Sequence, residues 1–433
     1  VNSPMVERDR EQERDELPRR PRRTAYNFFA AVVPAANAGV AIGYLAVAPG
    51  DPLEVGVPAH VALRLVLLNL LVAVLLRSAA ATDSAYRCAV ALGRGRSPAV
   101  RRVAGWAEGY GGLHVGFALS ATLWFLVMNG SMLRSDVYPP TCVAVNGFLV
   151  VAFTGVQISA VGPVRHRAPG LFRVLHRCGT WTVVGLLWLQ MDFVLVRRHR
   201  GTFWAEAVLP SPEFWLLVAT SALLVLPWLR LRRVPVEVVR VSSEVVELRL
   251  GLERARPGAL TMVSRTPLGP CHRFTLVVEP RRGGATLVVS RRLDWVSDLV
   301  DFPQSHLWVH AAPALAGSYL GHLHRSAIFV VTGTAIAEGL ARLARTGNST
   351  ELVWVVHGPV RAYGMDFVDR VEVLAPDLVI VDTSVQPDVD FLEMARELHS
   401  SAGSDAVGVA GSREVVREVR EGLARDGVPT FGG

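Results

Sequence analysis

The stretch Phe329–Leu340, FVVTGTAIAEGL, decides how this chain is read. An apolar, β-branched run stops at Thr332-Gly333, and a helical spacing of apolar residues begins at once. A strand that ends on glycine and hands over to a helix can present backbone N–H groups and a positive helix end to a phosphate. Gly333 would permit close backbone approach, and Thr332 and Thr334 would add hydroxyls. Two neighbours oppose this. Ala335 stands where a second glycine would ease a phosphate contact, and Glu338 places a negative charge in the first helical turn. A working dinucleotide site, a structural remnant and a chance match all stay open on these residues.

Working outward, LVWVVH, LVIVD and AVGVAG follow as strand candidates, with DFLEMARELHS and SREVVREVREGLARDG as helices. Such βα alternation predicts a parallel sheet. Upstream, VEVVRVSSEVVELRLGL, HRFTLVVE and ATLVVSRR alternate between turn residues, as in a small antiparallel barrel. Further upstream stand six apolar segments: Tyr26–Val47, Val61–Ala81, Leu113–Gly130, Cys142–Val161, Cys178–Val196 and Phe214–Leu229. Most approach the ~20 residues that cross a bilayer, the last two being short. The predicted fold class is a membrane α-helical bundle of six spans, then a β-barrel and an α/β nucleotide-binding-like domain. Its boundaries are a disordered cytoplasmic tail over 1–23, the helical domain over 24–233, the barrel over 234–320 and the α/β domain over 321–433.

Composition agrees with a membrane part joined to a soluble part. Of 433 residues 51% are hydrophobic and 19% charged, and mean hydropathy is +0.32. All 45 basic residues are arginine, and the formal charge is +7. The arginines gather in the tail and in the loops after segments two, four and six, which predicts a cell-membrane protein with both termini cytoplasmic. The basic connection between segments five and six breaks that pattern. Loop arginines of this kind do not imply a nucleic-acid partner. Cys88, Cys142, Cys178 and Cys271 form neither a CxxC pair nor a zinc spacing.

The order of helices, barrel and α/β domain resembles the ferric reductase and NADPH oxidase superfamily. Within it, the chain is similar to the fungal conidiation-associated transmembrane flavoprotein-like family, whose relatives include membrane domains of adenylate-forming multidomain proteins. The residues that carry this are LFRVLHRCGTW, CHRFTLVV, VVSRRLDWVSDLV, LWVHAAPALAG, IFVVTGTAIAEGL and the terminal VGVAGSREVVREVREGLARDGVPTFG. The resemblance implies a ferredoxin-reductase-like module with FAD and NAD(P)H sites.

It also assigns residues. His272, Phe274 and Thr275 match a His-x-Phe-Thr element at the flavin, with Arg265 and Arg273 near enough in sequence to meet its phosphates. A plain barrel strand with Phe274 inward is the other reading. Asp294 and Trp295 match an Asp-Trp-Thr element in which Val296 replaces the threonine, or Asp294 serves as a helix cap. Thr332, Gly333 and Thr334 fall at the nicotinamide nucleotide. His357, Gly358, Tyr363, Asp382 and Thr383 fall near strand ends. Phe431 falls where an aromatic stacks near the flavin, or in a disordered tail.

The same superfamily clamps two haems between histidines about fourteen residues apart. Here His114 and His176 are followed at that interval by Met128 and Gln190. His60 and His199 do not replace the missing outer pair. His114 and His176 could clamp one haem at the cytoplasmic side, or act as interfacial histidines bonded to headgroups or loop carbonyls. Two functional readings follow. One is a flavin-dependent membrane oxidoreductase passing electrons from NAD(P)H to a quinone, a lipid-soluble substrate or a protein acceptor. The other is a non-catalytic membrane sensor or scaffold with a degenerate reductase fold. A transporter has little support, since Arg64 and Asp192 are the main charges in the segments and no inverted repeat is visible.

Overall fold

The computed structural model describes residues 21–47, 57–134, 138–198, 204–252, 259–267, 269–277, 285–291, 293–310, 314–315, 317–343 and 349–432. The tail over 1–20 and His199 lie outside them. Long apolar runs fold as helices because a helix satisfies its own backbone polar groups. In chain order these are α1 (Pro21–Val47), α2 (Ala59–Leu75), α3 (Ala79–Gly93), α4 (Pro98–Gly105), α5 (Gly111–Leu133), α6 (Pro140–Ala160), α7 (Gly162–Arg167), α8 (Pro169–Arg198), α9 (Trp204–Val208) and α10 (Pro212–Leu229). Thr24–Val47 of α1, α5, α6, Pro169–Leu195 of α8, and α10 are long and apolar enough to cross a membrane.

Three boundaries differ from expectation. The second apolar segment is not one straight helix: α2 stops at Leu75, and α3 leaves it at 73°. The interruption falls at Leu76-Arg77-Ser78, where the apolar run reaches a charge and a hydroxyl. The fifth segment begins earlier than its apolar core, because Pro169 opens the helix and the basic first turns are helical too. The first three residues of α1 likewise belong to the stretch expected to be a tail.

The chain divides into two units. Tyr26–Ser78 and Tyr110–Pro227 form the helical unit. Its core includes Leu63, Val66, Leu67, Phe125, Met128, Leu187 and Met191. Gly112 and Gly116, one turn apart on α5, let α1 come close: a methyl on Gly112 would lie 2.1 Å from the Tyr26 carbonyl oxygen.

Ala79–Gly109 and Trp228–Gly433 form the other unit. Its first sheet is antiparallel and uses β1 (Leu231–Arg240), β2 (Val245–Leu250), β3 (Ala259–Ser264), β4 (His272–Thr275), β5 (Ala285–Ser290), β6 (His306–His310) and β7 (Ala314–Leu315). The order is β4-β3-β6-β1-β2-β5, with β7 on β3. A bridge from Val277 to Thr286 joins the two ends, so the barrel is nearly closed. Helix α11 (Asp294–Asp301) follows β5.

The second sheet is parallel, with β8 (Ser326–Thr332), β9 (Ser349–Val356), β10 (Val379–Asp382), β11 (Val407–Ala410) and β12 (Thr430–Phe431) in the order β10-β9-β8-β11-β12. The central strands β8 and β11 are buried because helices cover both faces, while the edge strand β10 is partly exposed. Those helices are α12 (Ile336–Leu343), α13 (Pro359–Tyr363), α14 (Met365–Leu374), α15 (Phe391–Ala402) and α16 (Arg413–Arg425). The segment Ala79–Gly109, read from sequence as a loop, is held to this unit by polar contacts. Arg101 Nη1 meets Asp405 Oδ2 at 3.1 Å, Arg420 Nη2 meets Glu108 Oε2 at 2.8 Å, and the Leu315 N–H donates to Asp83 Oδ1 at 2.7 Å.

Candidate functional site

The parallel sheet runs outward from β8 in both directions, so its winding reverses between β8 and β11. Open α/β sheets take ligands outside the carboxyl ends of their strands at such a reversal. Here β8 ends on Thr332, and Gly333 turns the chain with φ +53°, the left-handed region open to glycine. Trp354 Nε1 donates to the Gly333 carbonyl at 3.0 Å and fixes the turn. Across the reversal, Gly411 follows β11. A methyl there would lie 2.0 Å from Thr332 Oγ1, so a glycine is needed for the two loops to meet. Ser412 then caps α16, its hydroxyl accepting from the Val415 N–H at 3.3 Å. Gly411 and Ser412 were missed from sequence, although a glycine and an N-cap serine after a buried strand were there to read.

The turn is bordered by Tyr363, whose ring lies edge-on to Trp354 at 5.0 Å and stacks on Phe367 at 5.3 Å. Its hydroxyl would lie 3.7 Å from a methyl on Gly333. Glu338 sits in the first turn of α12, and burial raises its carboxyl to about 6. Thr332, Gly333, Thr334 and Glu338 are therefore gathered at one strand end, as expected.

The ends of β9 and β10 bring His357, Gly358, Asp382 and Thr383 together. His357 Nδ1 lies 3.3 Å from Thr383 Oγ1. Asp382 was assigned to a cofactor, but its Oδ1 is engaged by the loop itself. It accepts from the Gly358 N–H at 2.8 Å, the Ser384 N–H at 2.8 Å and the Ser384 hydroxyl at 2.7 Å. The Ser384 and Gly358 donors hold this exposed carboxyl below its usual range. Asp382 thus ties two loops together.

On the barrel, alternate residues share a face, so His272 and Phe274 point one way and Thr275 the other. Trp295 lies against the first two, stacked on His272 at 4.7 Å and on Phe274 at 5.9 Å. Its indole Nε1 is buried without a hydrogen-bond partner among the described residues. An aromatic face with an unsatisfied N–H fits a flat ring that is apolar above and below and rich in acceptors at its edge. Arg265 is paired with Asp298 at 3.6 Å, and Arg273 is exposed. Asp294 lies inside the first turn of α11, after Leu293 at the cap position, and Val296 is buried in the barrel core. An apolar residue at 296 is explained by that burial. Helix α12 packs on β4, and β5 on the turn Gly333–Ala335, so the aromatic face and the strand-end turn are neighbours.

Phe431 is placed elsewhere than expected. It is 2% exposed, pairs with Gly408 across β12 and β11, and stacks on Phe329 at 5.9 Å. The Arg342 guanidinium lies 4.6 Å over its ring. His324 also stacks on Phe431 at 6.1 Å, and burial lowers the imidazole to about 4. The ring is a core anchor because Gly408 leaves the room it fills.

In the helical unit, the rings of His114 and His176 lie 6.3 Å apart. His114 Nδ1 lies 2.8 Å from the Ala73 carbonyl oxygen, so Nε2 is the nitrogen that a metal would meet. Two imidazoles on opposite faces of one metal, bonded at ~2.0 Å each, need a comparable separation. His176 lies within α8 rather than before it. Met128 and Gln190 are both fully buried, and Gln190 Nε2 points to Met132 Sδ at 3.0 Å.

The family model described as "Adenylate-forming reductase 03009, C-terminal domain" matches residues 318–433. Adenylate-forming reductase 03009 of Coprinopsis cinerea is 25% identical over 373 residues, which is 85% of this chain. The chain is related to that fungal reductase. Adenylate-forming reductase 06235 of the same fungus is 25% identical over 375 residues. The chain spans 36% of the length of either relative. Among solved structures, a ferredoxin NADP+ reductase from Neisseria gonorrhoeae with bound FAD and NADP aligns with TM-score 0.36 and 13% identity, over 45% of this chain and 91% of that one. The flavohem-like FAD/NAD-binding domain of nitric oxide dioxygenase from Vibrio cholerae aligns with TM-score 0.34 and 13% identity, over 46% and 96%.

Proposed function

We propose that the chain is a membrane-bound, flavin-dependent oxidoreductase of the ferric reductase-like type that passes electrons from NAD(P)H to an acceptor in or at the membrane. The observation that carries this reading is the reversal point between β8 and β11, closed by Gly333 and Gly411, beside the aromatic face of His272, Phe274 and Trp295. That both fungal relatives are named reductases supports it. FAD would supply the step between a two-electron donor and a one-electron acceptor. His272, Phe274 and Trp295 would hold its ring, with the buried indole N–H meeting an acceptor at the ring edge. Thr332, Gly333, Thr334 and Ser412 would bind and orient the nicotinamide nucleotide, while Tyr363 and Trp354 keep the turn in shape. His114 and His176 would hold a single haem on the cytoplasmic side, and a quinone or a protein is the acceptor class this permits. Purified protein should show a flavin spectrum that bleaches when NAD(P)H is added. Colourless protein that binds neither flavin nor nucleotide would overturn the reading.

The sensor or scaffold alternative keeps one specific support: Glu338, an acid in the first turn of the helix that follows the strand-end turn, close in sequence to Ala335. It requires that flavin stay oxidised, or be absent, under excess NAD(P)H.

A further inference from the structure

One turn beyond Met128, the helical unit holds a buried group of soft and polar side chains. Met132 comes from α5, Cys142 and Asn146 from α6, and Gln190 from α8, each at most 2% exposed. Gln190 Nε2 lies 3.0 Å from Met132 Sδ and 3.3 Å from Cys142 Sγ, and Gln190 Oε1 lies 3.8 Å from that Sγ. Asn146 Nδ2 lies 3.6 Å from Met132 Sδ. Thioether and thiol sulfurs are weak acceptors, so they reward an amide poorly. Asn146 Oδ1 has no hydrogen-bond partner among the described residues although it is buried. A native structure seldom leaves a buried carbonyl oxygen so.

A cation resolves both features. With the two amides turned over, Asn146 Oδ1 and Gln190 Oε1 would face the sulfurs, and amide oxygen and nitrogen exchange places without other change. The donor set is then a thioether, a thiolate and two carbonyl oxygens. Cysteine and methionine sulfur select soft ions, Cu(I) foremost. Charge selects valence: Cys142 as thiolate with a monovalent ion is neutral overall, which an apolar interior tolerates, whereas a divalent ion leaves a net positive charge. Binding would release the Cys142 proton to solvent. None of these groups belongs to the strand-end or barrel sites, and Cys142 forms no disulfide. We propose that Met132 and Cys142, backed by Asn146 and Gln190, hold one soft monovalent cation of the Cu(I) type within the helical unit.

The test uses the full chain in detergent with Cys88, Cys178 and Cys271 replaced by serine, so that Cys142 is the one thiol left. Under anaerobic conditions with ascorbate, Cu(I) is titrated against a colorimetric Cu(I) chelator. One Cu(I) per chain is expected, with sulfur neighbours at the copper K-edge. Stoichiometric binding should vanish with Cys142→Ser and with Met132→Leu, the second conserving volume and hence fold. No Cu(I) in the triple-serine protein, or binding that survives Cys142→Ser, would overturn the proposal. Should both variants misfold, a copper edge showing nitrogen and oxygen neighbours alone in the triple-serine protein overturns it equally.

Discussion

Glu338 lies in the first turn of α12, where burial raises its carboxyl from 4.5 to about 6. A carboxyl raised on folding favours the folded state while protonated. That contribution is complete below 4.5 and is lost as pH rises through about 6. The shift corresponds to on the order of 1–2 kcal/mol. Glu338→Gln should therefore raise Tm at pH 8 by about 2–5 °C and leave it nearly unchanged at pH 4.5. Equal shifts at both pH values, followed by tryptophan fluorescence, would show that the carboxyl is not responsible. The same substitution removes an anion beside the turn, so nicotinamide nucleotide binding at pH 8 should tighten several-fold. Gly333 is the second residue on which the turn rests. At φ +53° an alanine costs about 1–2 kcal/mol, and Gly333→Ala should lower Tm at every pH, unlike the change at 338.

At the scale of elements, β12 is two residues long and yet carries Phe431 into the core. Truncating a buried phenylalanine costs about 3–5 kcal/mol. Phe431→Ala should destabilise the unit that holds the two sheets by that order in urea unfolding, whether or not flavin is present. A flavin-dependent loss would instead return this ring to the cofactor. The terminal strand was illegible because GVPTFGG carries no periodicity, and its place is set by Gly408, some twenty residues earlier. The longer strands were legible because buried parallel strands read as continuous apolar runs. The strand-end glycine and threonines were also legible, since a strand must end where its apolar run ends. The loop-tying role of Asp382 was illegible for a physical reason. An aspartate after a strand suits ligand binding and loop capping alike, and only the Gly358 and Ser384 donors distinguish them.

For the whole molecule, local pattern predicted helices, barrel and parallel sheet in order, because each depends on neighbours in sequence. What it could not give was Ala79–Gly109 as part of the unit that holds the two sheets, since Arg101 and Asp405 stand 304 residues apart. That contact bears on topology. Asp83, Arg101 and Glu108 bond to Leu315, Asp405 and Arg420, so this segment and the C-terminal domain must share one side of any bilayer. We propose, from the arginine distribution, that this side is the cytoplasm. Gly95 is an exposed turn residue between α3 and α4, and so a permissive insertion point. A phosphatase reporter that works only outside the cytoplasm should be silent when inserted at Gly95 and when fused after Gly433. Inserted between Arg134 and Tyr138, in the α5–α6 connection, it should be active. Activity at Gly95 with silence at Gly433 would break the polar contacts listed above as well as the six-span arrangement, because one compact unit cannot lie on both sides of a membrane.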